Sequence, residues 1–174
     1  MSDFYDKVLG DEDPIKKLLA KIPGFKGYVE RGDRRMSDKL LRENIAESFE
    51  SQYQRLSGLQ RELISAGGLA YIDDLEAAAI KLRQFIDRIR TAAYGYAGLF
   101  DAVKVNEDEL AAIYQYDSAL LDSVEIITRA IDNVEASIGS DGLSAATKHL
   151  TTESQNVLEL FNKRSDALKG VAAQ

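Results

Sequence analysis

The sequence has no cysteine, one histidine and two prolines in 174 residues. Without cysteine there are no disulfides, thiolate nucleophiles or zinc–thiolate sites, which fits a reducing compartment. With His149 as the only histidine, neither the paired Glu-x-x-His ligands of a di-iron bundle nor a supported catalytic triad can be assembled. The expectation is therefore no metal, no cofactor and a solvent-facing or cap-region His149. So few prolines favour long helices, because proline interrupts them. No run approaches the ~20 apolar residues of a membrane span. The opening Met1-Ser2-Asp3-Phe4-Tyr5-Asp6-Lys7 lacks the basic-then-apolar pattern of a secretory signal. Neither GxGxxG nor GxxxxGKS/T occurs, so no phosphate cradle is indicated. These absences lead to an expectation of a soluble cytoplasmic protein, at most peripheral at a membrane.

What is present is periodicity. Ile72, Leu75, Ala79, Leu82, Ile86, Ile89 and Ala93 alternate steps of three and four residues. Leu110, Ile113, Asp117, Leu120, Val124, Ile127, Ile131, Val134 and Ile138 do the same, with one carboxylate in the row. On a helix this heptad spacing, typical of coiled coils, puts each set on one seam that packs against other helices. Two further helices are predicted. One runs from about Asp33 to Ser65 with Leu41, Ile45, Phe49, Leu56, Leu59 and Leu63 on a face. The other runs from about Leu143 to Lys169 with Leu150, Val157, Phe161 and Leu168. The heptad helices run from about Leu69 to Ala93 and from Asn106 to near Ile138, where Asn106 and Glu109 suggest a capping box.

Short connections at 66–68 and 139–142 predict antiparallel neighbours. The expected architecture is an all-α, antiparallel up-down-up-down four-helix bundle over residues 33–174. Residues 1–32 would add an acidic tail, a short amphipathic helix and an aromatic turn. In that arrangement residues 1–32, the loop 94–106 and the C-terminus gather at one end, the base.

Charge singles out the same end. The net charge is −7, but residues 14–42 carry nine basic residues against Glu30, Asp33 and Asp38, a net of +6. Such a segment can be drawn to phosphates or anionic lipid, or to the acidic remainder of its own chain. From Pro14, Ile15, Leu18, Leu19 and Ile22 fall on one helical stripe with Lys16, Lys17 and Lys21 off it. That pattern suits an anionic membrane surface, and equally a short helix docked on its own protein. Ile22-Pro23-Gly24-Phe25-Lys26-Gly27-Tyr28 reads as a rigid turn, and Tyr94-Gly95-Tyr96-Ala97-Gly98-Leu99-Phe100 as a second glycine–aromatic segment. Their rings either anchor a partner or plug the base together. Asp117 on its seam reads as a register-fixing residue that needs Arg88, Arg90 or Arg164 as partner.

The runs IPGFKGYVERGDRRMSDKLL (22–41) and RIRTAAYGYAGLFDAV (88–103) resemble segments of small all-helical bacterial proteins of unassigned function. The resemblance implies a bacterial cytoplasmic setting and carries no activity, cofactor or binding residue.

The functional expectation is a non-enzymatic helical interaction or adaptor protein. Its base end would bind a protein partner or an anionic membrane surface. Lys16, Lys17, Lys21, Lys26, Arg34 and Arg35 would supply attraction, and Ile15, Leu18, Leu19, Phe25, Tyr28, Tyr96 and Phe100 the apolar anchors. One alternative is a homo-oligomer paired through Ala77, Ala78, Ala79, Ala111 and Ala112. Another is a small-molecule-binding or enzymatic bundle around Asp117 with Tyr114 or Tyr116. Nucleic acid is the least expected partner, since no groove-reading helix is evident.

Overall fold

The computed structural model describes residues 14–92 and 107–172. Among these, every regular element is helical. The α-helices are α1 (Pro14–Lys21), α2 (Phe25–Glu30), α3 (Arg34–Ser65), α4 (Ile72–Thr91), α5 (Glu107–Ser137) and α6 (Leu143–Ala172), and a 3-10 turn at Leu69–Tyr71 precedes α4. None is long and apolar enough to cross a membrane.

The ends of the helices follow from local chemistry. Asp33 caps α3, its carboxylate accepting from the Met36 amide at 3.1 Å, one of the donors that a helix start leaves unpaired. At the other end of α3, Gly68 N donates to Leu63 O at 2.8 Å and Gly67 N to Ile64 O at 3.2 Å. With Gly67 at φ +81°, this is the left-handed C-terminal motif that glycine permits. Gly68 is required sterically as well, because a Cβ there would lie 2.8 Å from Leu63 Cδ2. Asp73 and Asp74 occupy the first turn of α4 and Arg88 and Arg90 its last, matching the helix dipole at both ends.

The seams read from the sequence are interior. Leu75, Ala79, Leu82, Ile86 and Ile89 of α4 are buried, as are Leu110, Ile113, Asp117, Leu120, Ile127, Ile131 and Val134 of α5. Leu41, Ile45, Phe49, Leu56, Leu59 and Leu63 of α3 join them, with Leu150, Val157, Phe161 and Leu168 of α6. Phe85 lies at the centre, edge-on to Phe49 at 4.7 Å and to Phe161 at 5.6 Å. Each such side chain contributes roughly 1.5–3 kcal/mol by leaving water. Ile15, Leu18, Ile22 and Phe25 belong to this same core, so residues 14–30 are packed into the helical body.

Polar pairs between the helices give their register. From α3 to α4, Arg42 reaches Ile89 O and Glu50 reaches Arg83; numbers rise on one helix as they fall on the other. From α4 to α6, Thr151 bonds Asp74 O, Lys81 bonds Gln155 and Arg88 bonds Asn162; here the numbers rise together. α5 packs on both α6 and α3, and α3 packs on α4, but α4 has no comparable contact with α5.

Candidate functional site

Pro14 opens α1, where a missing amide hydrogen costs nothing and the fixed φ already suits a helix. Ile15, Leu18 and Ile22 turn inward and are buried, and Leu19 is partly so. The neighbour they meet is chiefly α5. Along the edge of this contact Lys17 Nζ lies 2.6 Å from Asp122 Oδ2. Lys21 Nζ lies 3.4 Å from Glu125 Oε1 and 3.8 Å from Asp122 Oδ1. The apolar stripe is thus docked on the protein itself, and two of the lysines meet the chain's own acidic residues.

Pro23 and Gly24 (φ +81°) then reverse the chain. The stretch that reads as a rigid turn starts a helix here, because Phe25 N bonds back to Ile22 O at 3.3 Å and Gly24 supplies the left-handed entry. Phe25 is fully buried and meets Tyr114 edge to face at 5.8 Å. Tyr28 is half-buried beneath the Arg31 guanidinium, 4.7 Å from its ring centre.

Ile15, Leu18 and Phe25 are therefore not external anchors: their apolar surface has already left water, and no further gain from binding remains while they stay docked. Lys16, Lys17, Lys21, Lys26 and Arg35 are exposed, and Arg34 is half-buried. Tyr96 and Phe100, like Asn106, lie outside the described residues. Ala78 and Ala79 are interior, leaving Ala112 of the alanine patches exposed.

The second concentration of chemistry is inside. Arg164 of α6 is 0% exposed. Its Nε donates to Asp117 Oδ1 at 2.6 Å, and its Nη2 donates to Asp117 Oδ2 at 3.3 Å and to Asp38 Oδ1 at 2.8 Å. Asp38 Oδ2 accepts from Arg42 Nε at 2.7 Å, and Arg42 Nη1 donates to Ile89 O at 3.1 Å. Two carboxylates and two guanidinium groups alternate, so the cluster is neutral. It joins α3, α4, α5 and α6 at one level, near the start of α3 and α5 and the end of α4 and α6.

Burial, the largest influence on Asp117, pushes its carboxyl up to about 6 even though Arg164 pulls it down. Burial also works against the Arg164 charge, but Asp117 and Asp38 outweigh it and hold the guanidinium above its ordinary value. Tyr114, beside the cluster, is raised by burial first and by Asp117 and Asp38 next. Both oxygens of Asp117 are occupied by Arg164, which suits a register role rather than proton transfer to a ligand. Among the described residues, Arg164 Nη1 is buried without a hydrogen-bond partner.

Arg164 is one of the three partners the sequence offers for Asp117. Asp38 and Arg42 are harder to find, because an Asp–Arg pair four apart reads as an ordinary surface bridge. The available signal is spacing. Asp38 stands three residues before Leu41, and Arg164 stands between Phe161 and Leu168, so both continue apolar seams.

A third feature lies between α3 and α4, an open groove of about 600 Å³ lined in part by Tyr53, Gln60, Ile80 and Arg83. Ile80 is 59% exposed there, and Arg83 stacks 4.1 Å from the Tyr53 ring centre. Among the described residues no acidic or histidine cluster is arranged to hold a metal ion.

No protein-family model, curated protein or solved structure matches this chain.

Proposed function

We propose that the protein is a non-enzymatic interaction protein, cytoplasmic, that meets an anionic membrane surface through its cationic N-terminal element. The body behind that element is read as an up-down-up-down four-helix bundle made of two antiparallel hairpins, α3–α4 and α5–α6. They lie side by side so that α4 runs parallel to α6 and α3 to α5. The register pairs support this reading, as does the buried charge cluster, which meets alternate helices near alternate ends. The single observation that carries the function is the set of exposed cations, Lys16, Lys17, Lys21, Lys26 and Arg35, gathered over α1, α2 and the first turn of α3 in an otherwise acidic chain. Each lysine or arginine held near an anionic bilayer contributes about 1 kcal/mol.

The test is co-sedimentation with phosphatidylglycerol vesicles against phosphatidylcholine vesicles. Wild type should pellet with the first and not the second, and Lys16→Glu with Lys26→Glu should weaken it at least about tenfold, two such charges being reversed. Equal pelleting of wild type and variant would overturn the proposal.

A second reading, a protein partner or second copy seated in the α3–α4 groove, is favoured by Ile80. Tyr, Arg and exposed apolar side chains in one groove are the composition of binding hot spots. Ile80→Asp should abolish any concentration-dependent mass seen by light scattering; a wild type that stays monomeric removes the self-association form of this reading.

A further inference from the structure

α1 is held to the body by less than the long helices are. It has eight residues, three fully docked apolar side chains if Ile22 just beyond it is counted, and ion pairs whose side chains are 37–67% exposed. Pairs this exposed are weak and screened by salt. It is also bounded by joints: the Pro23–Gly24 turn follows it, and Gly32 at φ +69° separates α2 from α3. Short peripheral elements with few buried contacts open well before the rest of a protein unfolds.

We propose that α1 is a releasable membrane anchor, kept docked by Asp122 and Glu125 and drawn off by anionic lipid; this rests on the membrane reading above. The groups that hold α1 on α5 are the groups that would hold it on a bilayer. Ile15, Leu18, Leu19 and Ile22 form the stripe that would enter the acyl boundary, and Lys17 and Lys21 would exchange carboxylates for lipid phosphates. One set of side chains cannot serve both contacts at once. Docking and membrane insertion are therefore competing states, and the lipid shifts the balance only through its preference for the released one. An apolar stripe flanked by lysines is complementary to the acyl boundary and the anionic headgroups of a bilayer.

The experiment uses the full chain. Asp122→Asn with Glu125→Gln removes the competing carboxylates and should raise partition into phosphatidylglycerol vesicles about three- to tenfold, the range expected for two exposed ion pairs. Because the sequence has no cysteine, Lys17→Cys with Asp122→Cys gives the only two thiols, which a short bismaleimide can bridge. The bridged protein should fall to the low binding seen with phosphatidylcholine, while the unbridged double cysteine variant binds. With no native tryptophan, Leu19→Trp reports insertion as a blue shift on adding anionic vesicles. Binding unaffected by the bridge would overturn release while leaving the membrane reading intact. No binding by wild type or by Asp122→Asn with Glu125→Gln would overturn both. Equal binding to soluble polyglutamate, lost with the bridge, would overturn the lipid as ligand.

Discussion

Asp117 and Asp122 lie five residues apart on α5, and each is bound to a cation from a different part of the chain. Asp117 is 0% exposed and held by the fork of Arg164. The Asp122 side chain is 41% exposed and held by the ammonium groups of Lys17 and Lys21. The pairing looks alike, but burial and geometry give it opposite uses. A planar guanidinium can bond both oxygens of one carboxylate and reach a second one, whereas a lysine is a hydrated point charge on a flexible stem. Inside, breaking the pair strands a charge away from water; outside, water takes over at once. The first pair belongs to a cluster that ties α3, α4, α5 and α6 together, and the second secures the segment proposed to leave.

The largest expected effect comes from breaking the inner pair. Arg164→Met leaves Asp117 and Asp38 buried without their shared cation and should cost about 3–5 kcal/mol in urea unfolding. Arg164→Met combined with Asp117→Leu should lose much less, because neither change then strands the other's charge. A double variant as unstable as the single one would mean that the loss comes from packing rather than from charge.

Titration sharpens the contrast next. Asp117 is raised to about 6 in the folded protein, against an ordinary value near 4. Between those values the folded state binds a proton that the unfolded chain does not. The contribution of Asp117 is therefore full below about pH 4 and is lost as pH rises through 6. The stability of wild type relative to Asp117→Asn should fall by on the order of 2–3 kcal/mol over that window. Glu50, half-buried between α3 and α4, should behave in the opposite sense. The Arg83 hydrogen bond, with help from Arg90, holds it below its ordinary value, so its contribution is present at neutral pH and lost as the solution is acidified below that value. Parallel pH profiles for Asp117→Asn and Glu50→Gln would contradict the assignment.

The smallest effect belongs to the outer pair. Asp122→Asn should change global stability by less than about 1 kcal/mol. Half-molar salt should remove most of even that difference, while leaving the cost of Arg164→Met nearly unchanged.

Much of the scaffold is legible in the sequence, because period and punctuation are strong signals in long helices. A reading from Asp33 to Ser65 meets a helix of Arg34–Ser65 with Asp33 as its cap. A start at Leu143 is found as read, and Gly67, at positive φ, lies just past the end of α3 as a C-terminal cap. The helix Phe25–Glu30 is too short to show a period, and its Pro-Gly entry reads as a turn. The sequence also gives no warning that α4 and α6 run side by side in the same direction. The short loops speak only for the helices they join, and the connection from α4 to α5 runs through 93–106, outside the described residues.

The inner cluster was half visible. Asp117 stands out as the one charge written into a heptad row, with Arg164 among its candidate partners, but Asp38 and Arg42 read as an ordinary pair four residues apart. For α1 the pattern allows docking or membrane contact, and the burial of Ile15, Leu18 and Ile22 is what identifies the docked arrangement.

Native-state hydrogen exchange compares the inner and outer attachments most directly. The amide of Ile22, which bonds Leu18 O at 2.9 Å, should exchange through an opening far cheaper than global unfolding, while amides flanking Asp117 and Arg164 should exchange only when the whole molecule unfolds. If the α1 amides prove as well protected as those beside Asp117, the outer attachment is as firm as the inner one and α1 is a fixed part of the scaffold.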